Sequence, residues 1–198
     1  MSVPLRGWFF GVLSLILLSG CGGGGSGEEQ LPPVQRPADT FDTLPMPDPA
    51  QASRFLVQAS FGPTPATINT LTQQGLSAWV DEQMRQPVSR QRQRLESLRR
   101  DVQSKDRIEA WWHNAMTRPD QLRQRVAFAL SQILVVSERG GNLGSQQIAL
   151  AHYYDQLASH AFGNFRDLLE TVTLSPVMGE YLSMLGNEKP DPVKNIRP

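Results

Sequence analysis

From Ser53 onward the apolar residues return every three or four positions, the spacing of a helix that buries one face. Thr64 is placed to cap a helix with Pro65 at its first position, Ile68 and Leu71 facing inward and Gly75 ending it. Ser77 opens a second helix, with Trp79, Val80 and Met84 ahead of Pro87. A third runs from Asp106 to Met116. Pro119 starts a long helix to about Val136, with Leu122, Val126, Leu130, Ile133 and Leu134 as its stripe and Phe128, Val135 and Val136 on other sides. Apolar residues nearly all round predict a helix at the centre of its domain. After the loop Gly140–Gly144, Ser145 caps a helix to about Ala161 with Leu150, Tyr154 and Leu157 on one face, and Gly163 supplies a left-handed stop. Asn164 opens the next helix, with Phe165, Leu168, Leu169 and Val172 on one side. Ser175-Pro176 begins a last short helix that ends at Gly186. No segment alternates as a strand would. The expected fold is therefore all-α, an irregular domain of seven or eight helices with short connections.

The first residues follow a different pattern. Arg6 precedes an apolar run from Gly7 to Leu18. At about 12 residues the run is too short to span ~30 Å of hydrocarbon but suits the apolar region of an export signal. Leu18-Ser19-Gly20-Cys21 follows, and Cys21 is the sole cysteine. This stretch resembles a bacterial lipobox, which implies cleavage before Cys21 and lipidation there, and more than one acyl chain anchors stably. Gly22 is not aspartate, so in a diderm cell the resemblance implies the outer membrane. No other cofactor is expected.

Composition sharpens this reading. Loss of residues 1–20 removes only Arg6, leaving 18 Lys+Arg against 19 Asp+Glu. Such a balance creates no field toward nucleic acid, which is not expected as a partner. With Cys21 lipidated no thiol remains for a disulfide or a cysteine metal site, so stability rests on a packed core. Residues 22–52 hold five glycines, six prolines and Phe41 as the only aromatic, a tether that cannot bury enough apolar surface to order itself. The division is thus 1–20 signal peptide, 21–52 lipidated cysteine and tether, and 53–198 helical domain. Asn187 to Pro198 is a polar, proline-rich loop that reads either as a disordered tail or as a connector to a further helix.

Several words in the helical part carry a resemblance. They are Phe55-Leu56 with Ser60-Phe61-Gly62-Pro63, Leu122 through Ser137, Tyr153-Tyr154-Asp155 with His160-Ala161-Phe162-Gly163-Asn164-Phe165, and Ser175 through Leu182. In this order they resemble the uncharacterised bacterial family catalogued as domain of unknown function 1800, over residues 52–198. The resemblance implies a mostly helical, exported protein of which this chain is the N-terminal part. It carries no established activity. It also suggests a co-exported sulfatase-like protein as partner, because members are often encoded beside one.

Three constellations bear chemistry. In Trp111-Trp112-His113-Asn114, the family pattern has a second histidine where this chain has Ala115. Glu109 and His113 lie one helical turn apart, two of the three or four ligands a metal needs. The alternative is that a tryptophan packs inward while His113 and Asn114 satisfy neighbouring groups. His152, Gln156 and His160 form a polar stripe, with Asp155 able to orient His152 as an acid or base. The stripe otherwise reads as a solvated face. Arg92, Arg94, Arg99 and Arg100 form a basic patch suited to anionic head groups or an acidic partner, or simply a solvated helix. Gly140–Gly144 lacks the ending and the preceding strand of a phosphate loop.

The leading expectation is a lipid-anchored envelope protein whose helical domain is an interaction or assembly module. The rival is a metal-assisted or acid/base hydrolase of envelope polymers using His113, Asn114 or His152 with residues beyond Pro198. A third reading is the truncated product of a longer gene. Mass spectrometry of the membrane-extracted protein is expected to find an acylated N-terminus at Cys21. Cys21→Ser is expected to abolish both processing and membrane retention.

Overall fold

The computed structural model describes residues 45–139 and 141–184. The segment read as a signal peptide, Cys21, most of the segment read as a tether and the stretch from residue 185 lie outside the described residues. Among those described, all regular structure is helical. The order is α1 (Pro49–Ala59), α2 (Pro65–Gln74), α3 (Leu76–Arg85), α4 (Gln91–Glu96), α5 (Ser104–Thr117), α6 (Gln121–Ile133), a 3-10 turn (Leu143–Ser145), α7 (Gln147–Ser159), α8 (Phe165–Thr173) and α9 (Pro176–Tyr181). No helix among the described residues is long and apolar enough to cross a membrane.

Local signals start and stop most of these helices. Thr64 accepts from the Thr67 N–H while Thr67 reaches back to the Thr64 N–H, with Pro65 in the first turn. Gly75 sits at φ 83°, ends α2 and turns the chain into α3. The Asn164 side chain accepts from the Arg166 N–H and opens α8.

Several boundaries differ from the expected ones. α1 begins at Pro49, inside the segment read as tether, because Asp48 and Gln51 form a capping box around it. α6 runs from Gln121 to Ile133, not from Pro119 to Val136, so Val135 and Val136 leave the helix. Ser145 lies in the 3-10 turn and α7 starts two residues later. α7 stops at Ser159 with His160 as its cap, and Gly163 does not take a positive φ. α9 ends at Tyr181, ahead of the expected Gly186.

The apolar interior forms three clusters. One joins α1, α2 and α3 through Ala52, Leu56, Leu71 and Trp79, with Leu122 of α6 against it. The largest joins α7, α8 and α9 through Leu150, Tyr153, Leu157, Leu168, Val172 and Val177, with Leu130 and Leu134 packed on it. The smallest sets Leu95, Ala110 and Ala151 where α4, α5 and α7 meet. α6 bridges the first two clusters, and α7 packs against α4, α5, α6, α8 and α9. The Tyr153 hydroxyl donates to the Leu134 carbonyl at 2.8 Å, tying α7 to the end of α6. Burial pushes that phenol up to about 12.

The connection between α3 and α4 has no regular structure of its own. Where it is partly covered, at Ser89, its backbone groups find side-chain partners. Asp120, 0% exposed, accepts from the Ser89 N–H at 2.9 Å. Asn114 and Gln124 donate to the Ser89 carbonyl at 3.2 and 3.1 Å, and Gln124 also donates to Asp120 at 2.9 Å. The Arg123 guanidinium donates to the carbonyls of Met84 and Ala158 and stacks over the Phe162 ring at 4.5 Å. Burial lowers the pKa of Arg123. Gln83 donates to the Pro119 carbonyl and accepts from the Leu122 N–H, both at 3.1 Å. Asp155 of α7 accepts from the Gln91 and Arg92 N–H groups at 2.7 and 3.0 Å, capping α4 from another helix.

Burial raises the pKa of Asp155, against the pull of those two N–H bonds. Asp155→Ala leaves one buried and one partly buried donor without an acceptor and is expected to lose about 2 kcal/mol of unfolding free energy. Asp155→Asn keeps one acceptor but sets its amide NH2 against the other N–H, so its loss should be smaller than that of Asp155→Ala but not negligible. Urea unfolding followed by far-UV circular dichroism measures both.

Candidate functional site

Helix α5 is inverted in polarity. Asp106, Ala110 and Asn114 recur every four residues and form its buried side. Ile108, Trp112 and Met116 recur every four residues on an exposed side, at 45%, 51% and 72% exposure. α6 shows the same inversion, with Arg123, Gln124 and Ala127 buried and Ile133 73% exposed. The expected apolar stripe of α6 is thus only partly inward. Leu122, Leu130 and Leu134 pack on the core clusters, while Ile133 and Phe128 face out. Each buried polar side chain answers a partner: Asn114 and Gln124 the Ser89 carbonyl of the α3–α4 connection, Asp106 the Arg100 guanidinium and Gln103 N–H, and Arg123 the Met84 and Ala158 carbonyls.

Trp112 and Phe128 join Trp111 and Phe61 in an aromatic surface. Trp111 meets Trp112 edge-on at 4.7 Å between ring centres, Phe61 at 5.5 Å and Phe128 at 5.7 Å. Such edge and tilted pairs add to what burial alone contributes. The Arg125 guanidinium lies over Phe61 and Phe128 at 5.5 and 6.0 Å. It donates to the Gln58 carbonyl and has no ion-pair partner among the described residues. A groove of about 230 Å³ opens beside Trp111 and Phe128, between Ile108 and Tyr154. A close reading of spacing can find this surface. Adjacent residues on a helix point about 100° apart, so Trp111 and Trp112 cannot both face one core.

The sequence-derived catalytic and metal candidates do not converge. The Asn114 amide is committed to the Ser89 carbonyl. Glu109 pairs with Arg94 at 3.2 Å. Among the described residues no group of three or more His, Cys, Asp or Glu side chains is placed to hold a metal, so Glu109 and His113 gain no third ligand there. His152 is exposed, with Nε2 at 3.3 Å from the Gln156 amide nitrogen. Asp155, expected to orient His152, turns instead to the α4 backbone. His160 meets the Thr171 hydroxyl at 3.1 Å and ties α7 to α8. His152 borders a cleft of about 610 Å³ between α4 and α7, in which neither His113 nor Asn114 takes part.

The basic segment is largely neutralised. Arg92 pairs with Glu96 at 2.7 Å, Arg94 with Glu109 at 3.2 Å, and Arg100 with both oxygens of Asp106 at 2.8 Å. Arg107 pairs with Glu138 at 3.0 Å. Arg99 takes a φ of 51° in the turn after α4 and is exposed. The Arg100 guanidinium, then the Gln103 N–H, hold the Asp106 carboxyl well below the usual carboxylate range. Ser104, then Arg107, lower the pKa of Glu138.

These features define an all-helical domain with a hydrogen-bonded polar interior and an aromatic exterior. The chain belongs to the family described as "Protein of unknown function (DUF1800)", whose model matches residues 54–195. No curated protein and no solved structure matches it.

A depressed folded-state pKa stabilises above the unfolded value and is lost as pH falls through the folded one. For Asp106 the unfolded value is close to 3.8. The stability difference between the wild-type chain and Asp106→Asn is therefore expected to be full at about pH 6 and to close steadily below about pH 4. Thermal melts across that range test it.

Proposed function

We propose that this chain is an exported lipoprotein of the cell envelope, anchored through Cys21, whose helical domain docks a partner protein on the aromatic surface of α5 and α6. The observation that carries this reading is the inverted polarity of α5. A helix that buries Asp106 and Asn114 while exposing Ile108, Trp112 and Met116 keeps its largest apolar residues available outside the core. Exposed patches of this kind mark interaction surfaces, and Trp and Arg dominate interface hot spots.

The chemistry of the partner follows from charge. Arg125 lies over the rings without an ion-pair partner among the described residues, so the matching surface combines apolar anchors with a carboxylate. The partner that the family resemblance suggests, a co-exported sulfatase-like protein, is the first to test. The hydrolase reading is less well supported, since Asn114 is spent on the Ser89 carbonyl and Glu109 on Arg94.

The test is binding of the purified sulfatase-like neighbour to the full chain held in detergent micelles. Trp112→Ala is expected to weaken binding about 30-fold, the size of an interface hot spot. Because Trp112 is half exposed and lies outside the three core clusters, its melting temperature should stay near that of the wild type. No binding, or binding unchanged by Trp112→Ala, overturns the reading.

A further inference from the structure

The cleft between α4 and α7 is separate from the docking surface and has its own chemistry. Its volume, about 610 Å³, is that of a small-ligand site. Its lining is polar: Arg90, Arg92 and Gln93 from the α4 side, and His152, Gln156 and Ser159 from α7. Two carboxylates also border it, and both are committed. Glu96 holds Arg92 at 2.7 Å, and Asp155 accepts the two N–H groups that start α4. Arg90 is left exposed with no ion-pair partner among the described residues. The cleft thus presents one guanidinium outside any ion pair, near enough to the Asp155 carboxylate to favour its charged form, beside the neutral donors and acceptors of Gln93, His152, Gln156 and Ser159.

The neutral groups are complementary to hydroxyls. An amide nitrogen only donates, so at 3.3 Å the Gln156 nitrogen gives its hydrogen to His152 Nε2. In the neutral ring the other hydrogen then sits on Nδ1. The amide oxygen of Gln156 remains an acceptor and the His152 Nδ1–H a donor. A hydroxyl, which both donates and accepts, answers such a pair. Asp155 ties the two walls together, so the geometry is set before a ligand arrives.

We infer that this cleft binds an acidic sugar of the uronic acid class, its carboxylate on Arg90 and its hydroxyls on Gln156 and His152. Each competing class lacks a feature it needs. A phosphate group calls for more than one free cation, and Arg92 is already paired. A fatty acid needs an apolar wall, and no aliphatic side chain lines the cleft.

The experiment is ligand-observed saturation-transfer NMR with titration, using the full chain in detergent micelles and three probes: glucuronate, glucose and inorganic phosphate. Glucuronate is expected to bind at least about tenfold more tightly than glucose, the contribution of one charge-assisted hydrogen-bonded pair. Arg90→Ala should abolish that preference. Gln156→Ala should weaken glucuronate with the preference retained. Arg166→Ala, on α8, should change nothing. Thermal melts of all three variants confirm that they are folded. Absence of glucuronate binding, equal binding of glucose, tighter binding of phosphate, or indifference to both Arg90→Ala and Gln156→Ala overturns the inference.

Discussion

The five residues between α3 and α4 impose the constraint around which this domain is arranged. A connection with no helix or strand of its own cannot leave its N–H and C=O groups without partners once it is covered. Ser89 is served by Asp120, Asn114 and Gln124, and the start of α4 by Asp155. These donors and acceptors come from the start of α6, from α5 and α6 themselves, and from α7. One irregular segment thereby fixes three helices relative to each other. The apolar clusters lie around this polar centre and do not replace it.

The need of buried polar groups for partners, at Ser89 and also at Arg100, Met84 and Ala158, bears on what the surface presents. A helix has a limited buried side, and on α5 and α6 much of it is taken by Asp106, Asn114, Arg123 and Gln124. Trp112, Met116, Ile108 and Ile133 are consequently turned outward. The aromatic surface lies over two helices that pack against each other. Arg125 above the rings adds a charge to that surface, whereas most of the arginines between residues 90 and 107 are matched by carboxylates close by.

Electrostatics and packing meet again at α7. Asp155 is buried at some expense to its charged form, yet it joins α4 to the helix that touches most other elements. His152 and Gln156, on the same helix, are left facing the cleft that α4 closes. One helix therefore combines a structural carboxylate with a solvent-facing polar stripe, and spacing alone does not separate the two roles. The histidine and the aspartate three residues later look like an acid/base pair in sequence. In the fold the aspartate serves a different chain segment.

The sequence by itself determined the helical class, the word pattern of the family and the starts and stops set by neighbours. Thr64 with Pro65, Gly75 and Asn164 act through bonds to residues within one turn, so their roles are written in adjacent positions. The N-terminal boundary of α1 was legible too, in Asp48 and Gln51, but the surrounding prolines and glycines masked it. The tertiary structure alone decided which side of α5 and α6 faces inward, which arginines remain unpaired and what Asp155 holds. Asp155 and Gln91 are 64 positions apart, and Ser89 and Asp120 are 31 apart. Periodicity reports which residues share a helix face, and hydrophobicity then suggests that the apolar face is buried. That inference fails where an irregular backbone elsewhere in the chain must have hydrogen-bond partners, because its need arises only when the helices close around it.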